Sequence, residues 1–276
     1  MQSAAGVPVD SFSYGLVTPV LAYGMACLGS ALGLRCTVRA LGLRGGAPTG
    51  SERAGWLLLG SLAIGTGIFT MHFIAMMGFT ARGVEIQYDL LTTYASLAVA
   101  VAVVGAGVFL VGHRGRTVPA LLGGGVITGL GVAAMHYLGM ASMRMPGSLV
   151  YDLPTVLLSI AIAVVAATAA LWFATSVKVL GAALGAAMIM GVAVCGMHFT
   201  AMRAVSVHSH DTDAAVDGTS AIATVMPILI GPVLLLLFVG LFVSLDPMVQ
   251  RDGKRGWGSR PGEGSGEKLE WTPFER

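Results

Sequence analysis

The chain has 276 residues, of which 55% are hydrophobic and 11% charged, with a net charge of +2 and a mean hydropathy of +0.80. Soluble domains carry about a quarter charged residues, so this composition excludes a soluble globular fold and defines an integral membrane protein. So small a net charge gives no footing for nucleic acid, and Cys27, Cys36 and Cys195, odd in number and without a C-x-x-C pair, indicate neither a disulfide framework nor a zinc site.

Residues 1–13 contain Asp10 and no Lys or Arg, which lacks the basic start of a cleaved signal peptide. They are expected to form a short extracytoplasmic tail. Crossing the hydrocarbon layer as a helix takes about 20 apolar residues. Seven runs qualify, at roughly 14–34, 55–80, 91–112, 118–143, 153–174, 179–203 and 222–245. They are continuously apolar rather than alternating, which argues against barrel strands. The expected fold class is all-α: a polytopic bundle of seven transmembrane helices occupying residues 14–245. From Asp246 the chain turns polar and Gly-rich, and 246–276 is expected to be a disordered cytoplasmic tail too short for a catalytic domain. Its positive charges suit contact with anionic lipid.

Charge sets the expected orientation. The loop after the first helix holds Arg35, Arg39, Arg44 and Arg53, that after the third Arg114 and Arg116, and that after the fifth Lys178. The tail adds Arg251, Lys254, Arg255, Arg260, Lys268 and Arg276. The opposite side carries only Arg82, Arg144 and Arg203. The basic side is expected to be cytoplasmic, which puts the N-terminus outside and the C-terminus inside a bacterial plasma membrane.

Within this pattern one stretch repeats. Met71-His72-Phe73-Ile74-Ala75-Met76 returns as Met135-His136-Tyr137-Leu138-Gly139-Met140 and as Met197-His198-Phe199-Thr200-Ala201-Met202. The shared form is Met-His-aromatic-x-small-Met, each time in the last third of an outward-running helix. Tyr88-Asp89 follows the first copy and Tyr151-Asp152 the second; Asp217 is the nearest stand-in after the third. These acids precede the next helix, where Asp suits an N-cap. The units are helices two–three, four–five and six–seven, three parallel repeats with the N-terminal helix as an extra. Gly65, Gly67, Gly129, Gly131, Gly185 and Gly191 precede the motifs, and their expected role is close helix packing.

In each copy His and the second Met are four residues apart, so they share a helix face. The first Met lies about 100° around the helix. Thioethers select soft ions such as Cu(I), and imidazole suits copper, iron, zinc and nickel. A His–Met set without carboxylates fits copper best and does not fit magnesium or calcium. Haem iron also accepts His and Met as axial ligands, with Phe73, Tyr137 and Phe199 placed to flank it. The plain alternative is a helix-to-helix hydrogen bond from each His with Met as apolar filler. Three copies at one depth favour a metal or cofactor, because intramembrane ionisable groups are expensive.

Other groups carry less. Cys195 lies three residues before His198 but has no counterpart in the other copies, and is expected to pack. His208, His210, Asp211 and Asp213 cluster in the last outer loop as a solvated group without counterparts elsewhere. His113 is a lone residue beside Arg114. Met77, Met143 and Met145 can widen the soft patch. Arg82, Arg144 and Arg203 suit helix ends at the head groups. No nucleophile–base set, phosphate loop or inward carboxylate pair occurs, so no enzymatic activity is expected.

The three motif copies and the seven spans resemble the MHYT domain, a bacterial integral-membrane sensor module named for a repeated Met-His-Tyr-Thr motif. The resemblance covers about residues 14–245. It implies copper held by Met71, His72, Met76, Met135, His136, Met140, Met197, His198 and Met202, and sensing of oxygen, carbon monoxide or nitric oxide. The motif's Tyr stands here only as Tyr137 and its Thr only as Thr200, so neither hydroxyl is needed at every site. Many relatives also carry domains that make or degrade cyclic di-GMP; without one, the signal passes to a separate cytoplasmic partner. The expected function is therefore a copper-binding membrane sensor. The alternatives are a copper transport or storage protein and a haem-binding electron-transfer protein.

Overall fold

The structure is a computed structural model and describes residues 6–42, 48–82, 84–176, 180–209 and 221–245. The expected tail at 246–276, Asp217, and His210 with its neighbouring acids lie outside them. Among the described residues, seven helices are long and apolar enough to cross a membrane: α1 (Val17–Ala40), α2 (Gly50–Met76), α3 (Leu90–Arg114), α4 (Val118–Ala141), α5 (Leu153–Ser176), α6 (Leu180–Arg203) and α7 (Ala221–Leu245). The protein is an all-α, multi-pass membrane protein.

Helix ends differ from the hydropathy windows where charged residues sit at the membrane boundary. α2 starts at Gly50 because Thr49 and Glu52 cap it, the Thr49 amide donating to Glu52 Oε2 at 2.9 Å. Arg53 therefore lies inside the helix, and it donates to the Gly112 carbonyl at the end of α3. α1 runs through Arg35 and Arg39 to Ala40, and the Arg39 guanidinium lies 5.8 Å from the Trp56 ring centre. At the same end of the bundle Arg116 stands 5.6 Å over Trp172.

Neighbouring helices close into a ring of six in the order α1 to α6, with α6 returning to α1. α7 packs from outside against α1 and α2 through Leu236, Val239 and Val243. In space α1 thus fills the seat beside α6. Three glycines, each seven residues before a motif His, show why the seats are equivalent. A Cβ on Gly65 would stand 2.8 Å from Val101 Cα on α3, and one on Gly129 2.5 Å from Val164 Cα on α5. The third, on Gly191, would stand 2.6 Å from Cys27 Sγ on α1. Each motif helix presses its backbone onto the next helix of the ring at the same height. Gly185 meets nothing within 4 Å among the described residues, so the packing role expected of it is not seen.

Short strands cover one end of the ring. β1 (Gly6–Val7) and β2 (Val9–Asp10) precede α1; β3 (Thr80–Ala81) and β4 (Gln87–Tyr88) follow α2; β5 (Met143–Arg144) and β6 (Gly147–Tyr151) follow α4; β7 (Val205–Ser209) follows α6. The antiparallel pairs are β2 with β3, β4 with β5, β6 with β7, and β7 with β1. Each connection is tied to the next, and the N-terminal segment closes the circle. Residues 6–13 are therefore part of this cap.

Backbone hydrogen bonds repeat the threefold pattern. The amides of Asp89 and Asp152 donate at 2.8 Å to the carbonyls of Ser142 and Ala204, and that of Ser13 donates to Gly78 at 3.1 Å. Each acceptor lies two residues past the second Met of a motif. The aromatic residue before each donor meets a motif ring: Tyr88 with Phe73 at 5.7 Å, Tyr151 with Tyr137 at 5.8 Å, and Phe12 with Phe199 at 5.4 Å. Phe12-Ser13 thus occupies the place that Tyr-Asp holds in the other two units.

Candidate metal centre

α2, α4 and α6 bring His72, His136 and His198 to one point. All three imidazoles are buried, at 0%, 0% and 1% exposure. His72 Nδ1 lies 3.1 Å from His198 Nδ1 and 3.2 Å from His136 Nδ1. One nitrogen from each ring falls within 4.8 Å of the others. Ring centres are 4.9–5.1 Å apart and each pair of planes is near perpendicular. The rings are blades around a common axis, not a stack.

This geometry is poorly satisfied by protons alone. One N–H on His72 Nδ1 can serve one of its two Nδ1 neighbours and leaves the other facing it. His72 Nε2 and His136 Nε2 are buried with no hydrogen-bond partner among the described residues. A cation accepting lone pairs resolves the first conflict. Metal–nitrogen bonds of about 2.0–2.1 Å in a tetrahedral site place nitrogens about 3.3 Å apart. The observed 3.1 and 3.2 Å differ from that by one or two tenths of an ångström.

The six motif thioethers lie in two layers. Met71, Met135 and Met197 are buried with Ile68 and Val132 in the core between the helices. Met76, Met140 and Met202 are buried with Tyr88, Met143, Val205 and Val207 beneath the cap. Met77 and Met145 pack against this second group. All nine residues singled out from the sequence are thus buried, and the three imidazoles among them meet at one point. Gly139, the small residue of the second motif, lies directly against the triad: a Cβ there would stand 2.5 Å from His72 Nε2 and 3.0 Å from His72 Cδ2.

The motif aromatics frame the triad edge-on, each beside its own His at 4.7–5.0 Å between ring centres. Tyr137 Oη and Ser159 Oγ share a hydrogen bond of 2.8 Å that joins α4 to α5. Thr200 points elsewhere, donating to the Gly196 carbonyl at 2.7 Å, so its hydroxyl is not part of the centre.

The acids outside the helices act as caps. Asp89 accepts from the Thr92 hydroxyl at 2.6 Å and the Thr92 amide at 2.9 Å, and Asp152 from the Thr155 hydroxyl at 2.5 Å and amide at 3.1 Å. These bonds hold both carboxyls below the usual carboxylate range. Arg144 reaches Asp89 at 3.7 Å across the β4–β5 pair. Burial alone pushes the Tyr88 hydroxyl up. Cys27, Cys36 and Cys195 are free thiols, and His113 bonds the Phe109 carbonyl one turn back at 2.9 Å.

Three residues around the site were not singled out from the sequence. Phe12-Ser13 was hidden because it precedes its helix at the start of the chain, far from the third motif. Its signal is an aromatic followed by a capping residue just before an inward helix, as at Tyr88-Asp89. Gly139 stood in the motif only as a small residue; nothing local told it from Ala75 and Ala201.

Buried imidazoles carried by repeated helices in a multi-pass bundle define the class: a membrane protein built around an internal polar layer. Residues 65–124 and 129–187 each match the family model of MHYT, the bacterial signalling protein N terminal repeat. Residues 65–187 of the chain are thus a pair of MHYT repeats. The third motif copy lies beyond the matched residues, where the chain order of the repeat is broken by the placement of α1. A stretch of 160 residues, 56% of this chain, is 41% identical to the bifunctional diguanylate cyclase/cyclic di-GMP phosphodiesterase MucR of Pseudomonas aeruginosa. Another, 54% of the chain, is 36% identical to the cyclic di-GMP phosphodiesterase NbdA of the same organism. A third, 58% of the chain, is 31% identical to the signaling protein YkoW of Bacillus subtilis. The matches span 23%, 20% and 21% of those proteins. No solved structure matches the chain.

Proposed function

We propose that this protein is a membrane sensor whose His72–His136–His198 layer holds a copper ion. The observation that carries the reading is the convergence of three buried Nδ1-bearing rings on one point. Three imidazoles alone also suit zinc. The six buried motif thioethers, beside a cluster that among the described residues holds three imidazoles and no carboxylate, favour a soft ion such as Cu(I). The 3.1 and 3.2 Å separations fit a point ion rather than the width of a porphyrin, which favours copper over haem.

Held by His72, His136 and His198, copper would supply affinity for oxygen, carbon monoxide or nitric oxide and a change of oxidation state. The chain's own residues do the rest. The rings fix the donor directions. The strand cap and the buried aromatics keep bulk water from the layer. The contacts of Gly65, Gly129 and Gly191 link each motif helix to its neighbour, so a shift of one imidazole is passed around the ring. The charge asymmetry of the loops supports a triad towards the outer side, with the N-terminus outside and the C-terminus in the cytoplasm. The output is to a cytoplasmic signalling partner, and the cyclic di-GMP names of the relatives point to an enzyme of cyclic di-GMP turnover. The residues around the layer hold it in place and carry no reaction of their own.

The test is carbon monoxide titration of the copper-loaded, reduced protein by infrared spectroscopy. A saturable carbonyl band, absent from a His72→Ala/His136→Ala/His198→Ala variant, is the expected result. Absence of any saturable band in the unaltered protein rejects gas sensing at copper, and an intense Soret band after purification rejects copper in favour of haem.

A further inference from the structure

On the axis of the ring, inward of the imidazoles, lies a cavity of about 40 Å³. Every helix of the ring contributes to its wall, including Leu34 of α1, Val104 of α3 and Leu171 of α5. The motif helices contribute Ile64, Thr128 and Met190. These three stand eight residues before His72, His136 and His198 respectively, the same register in each repeat. Eight residues of helix rise about 12 Å, a little over two turns. The cavity and the triad therefore share one axis. Between them, one turn below each His, stand Ile68, Val132 and Val194, all within the same apolar core.

The wall decides what suits this space. By the same measure about 10–15 Å³ admits one water-sized body, so there is room for more than one. A water in such a place needs two to four polar partners. The wall offers two hydroxyls. That of Thr37 donates to the Gly33 carbonyl at 2.9 Å and keeps only its acceptor side, and that of Thr128 has no partner among the described residues, so the two reach only the lower end of what one water needs. The remaining lining is aliphatic, with one thioether. Small apolar guests fit this chemistry and ions do not.

We propose that this axial cavity is a holding site for an apolar diatomic gas, set one apolar layer away from the histidine centre. The proposal rests on reading that centre as one that takes such a gas. Its function is to keep the ligand at high local concentration on the side of the triad away from the strand cap. Ile68, Val132 and Val194 form the layer through which the gas passes to the imidazoles.

Xenon is the probe, because it fills small apolar cavities and does not ligate copper. Crystals of the full chain pressurised with xenon are expected to show one xenon site between Ile64, Thr128 and Met190. Ala170→Leu, which adds bulk to the cavity wall, is expected to abolish it, while Thr128→Val is expected to keep it. A cavity without xenon in the unaltered protein overturns the proposal, as does xenon that persists unmoved in Ala170→Leu. If Ala170→Leu does not fold, loss of xenon from Thr128→Val overturns it instead. Copper content measured on the same protein separates the two readings: copper without xenon sinks the holding site alone, and xenon without copper sinks the copper sensor and with it the delivery of gas to the triad, leaving only an apolar cavity.

Discussion

The Nδ1 atoms of His72 and His198, 126 residues apart in the chain, stand 3.1 Å apart in a fully buried layer. No second turn of either helix could place them so. The contact exists because α6 returns to α1 and closes the ring, and because the cap ties the ends of α2, α4 and α6 to one another. Closure of the ring is thus what turns three separate motifs into one centre.

Gly139→Ala tests how tightly that centre is built. The added methyl would meet His72 Nε2 at 2.5 Å, on a ring already fixed by its two neighbours. The variant is expected to lose about 1–3 kcal/mol of stability by overpacking. It is also expected to bind copper at least about tenfold more weakly, since displaced metal ligands cost that much or more. Competition against a chelator of known copper affinity checks the second effect, and a detergent melting curve the first.

Gly129→Leu addresses the contact between α4 and α5. A Cβ there has Val164 backbone 2.5 Å away, so a larger side chain forces the helices apart. The expected loss is about 1–3 kcal/mol, read as a lower melting temperature. Gly185→Leu is the control: its Cβ has nothing within 4 Å, and it is expected to melt close to the unaltered protein.

Gly191→Cys examines the seat of α1 beside α6. The new Cβ lies 2.6 Å from Cys27 Sγ, so mild oxidation is expected to link positions 27 and 191 and leave the protein sensitive to reductant in its gel mobility after a cut between α1 and α6. Failure to cross-link, with the variant folded, contradicts the ring order.

The acids before α3 and α5 predict a pH dependence. Asp89 and Asp152 are held below their ordinary value of 3.8, chiefly by Thr92 and Thr155. A depressed folded value means that the stabilisation is whole above about pH 3.8 and is lost as pH falls through the folded value. Asp89→Ala/Asp152→Ala is therefore expected to melt below the unaltered protein at pH 6, with the gap closing below about pH 3.8. A gap that is constant across that range contradicts the capping role.

Much of this was legible in the chain. Continuous apolar runs gave seven spans because a bilayer core imposes a length on any helix that crosses it. The motif pointed to its three imidazoles because an imidazole is costly in lipid and three at one register are hard to explain otherwise. The helix ends were less clear. Hydropathy drops at Arg35 and Arg53, yet α1 and α2 continue through them, since a capping pair and an Arg–Trp contact hold charged ends at the boundary. The role of α1 was not legible. In sequence it stands outside the repeats, and only the threefold pairing of Phe12-Ser13 with Tyr88-Asp89 and Tyr151-Asp152 shows that it completes the third unit. The convergence of the imidazoles depends on the same closure, which no local pattern encodes.

The central claim is most directly tested by metal analysis of the purified full chain beside its His72→Ala/His136→Ala/His198→Ala variant. Copper is predicted to accompany the unaltered protein after extensive washing and to fall to background in a folded triple variant. Equal copper in the two proteins contradicts the account.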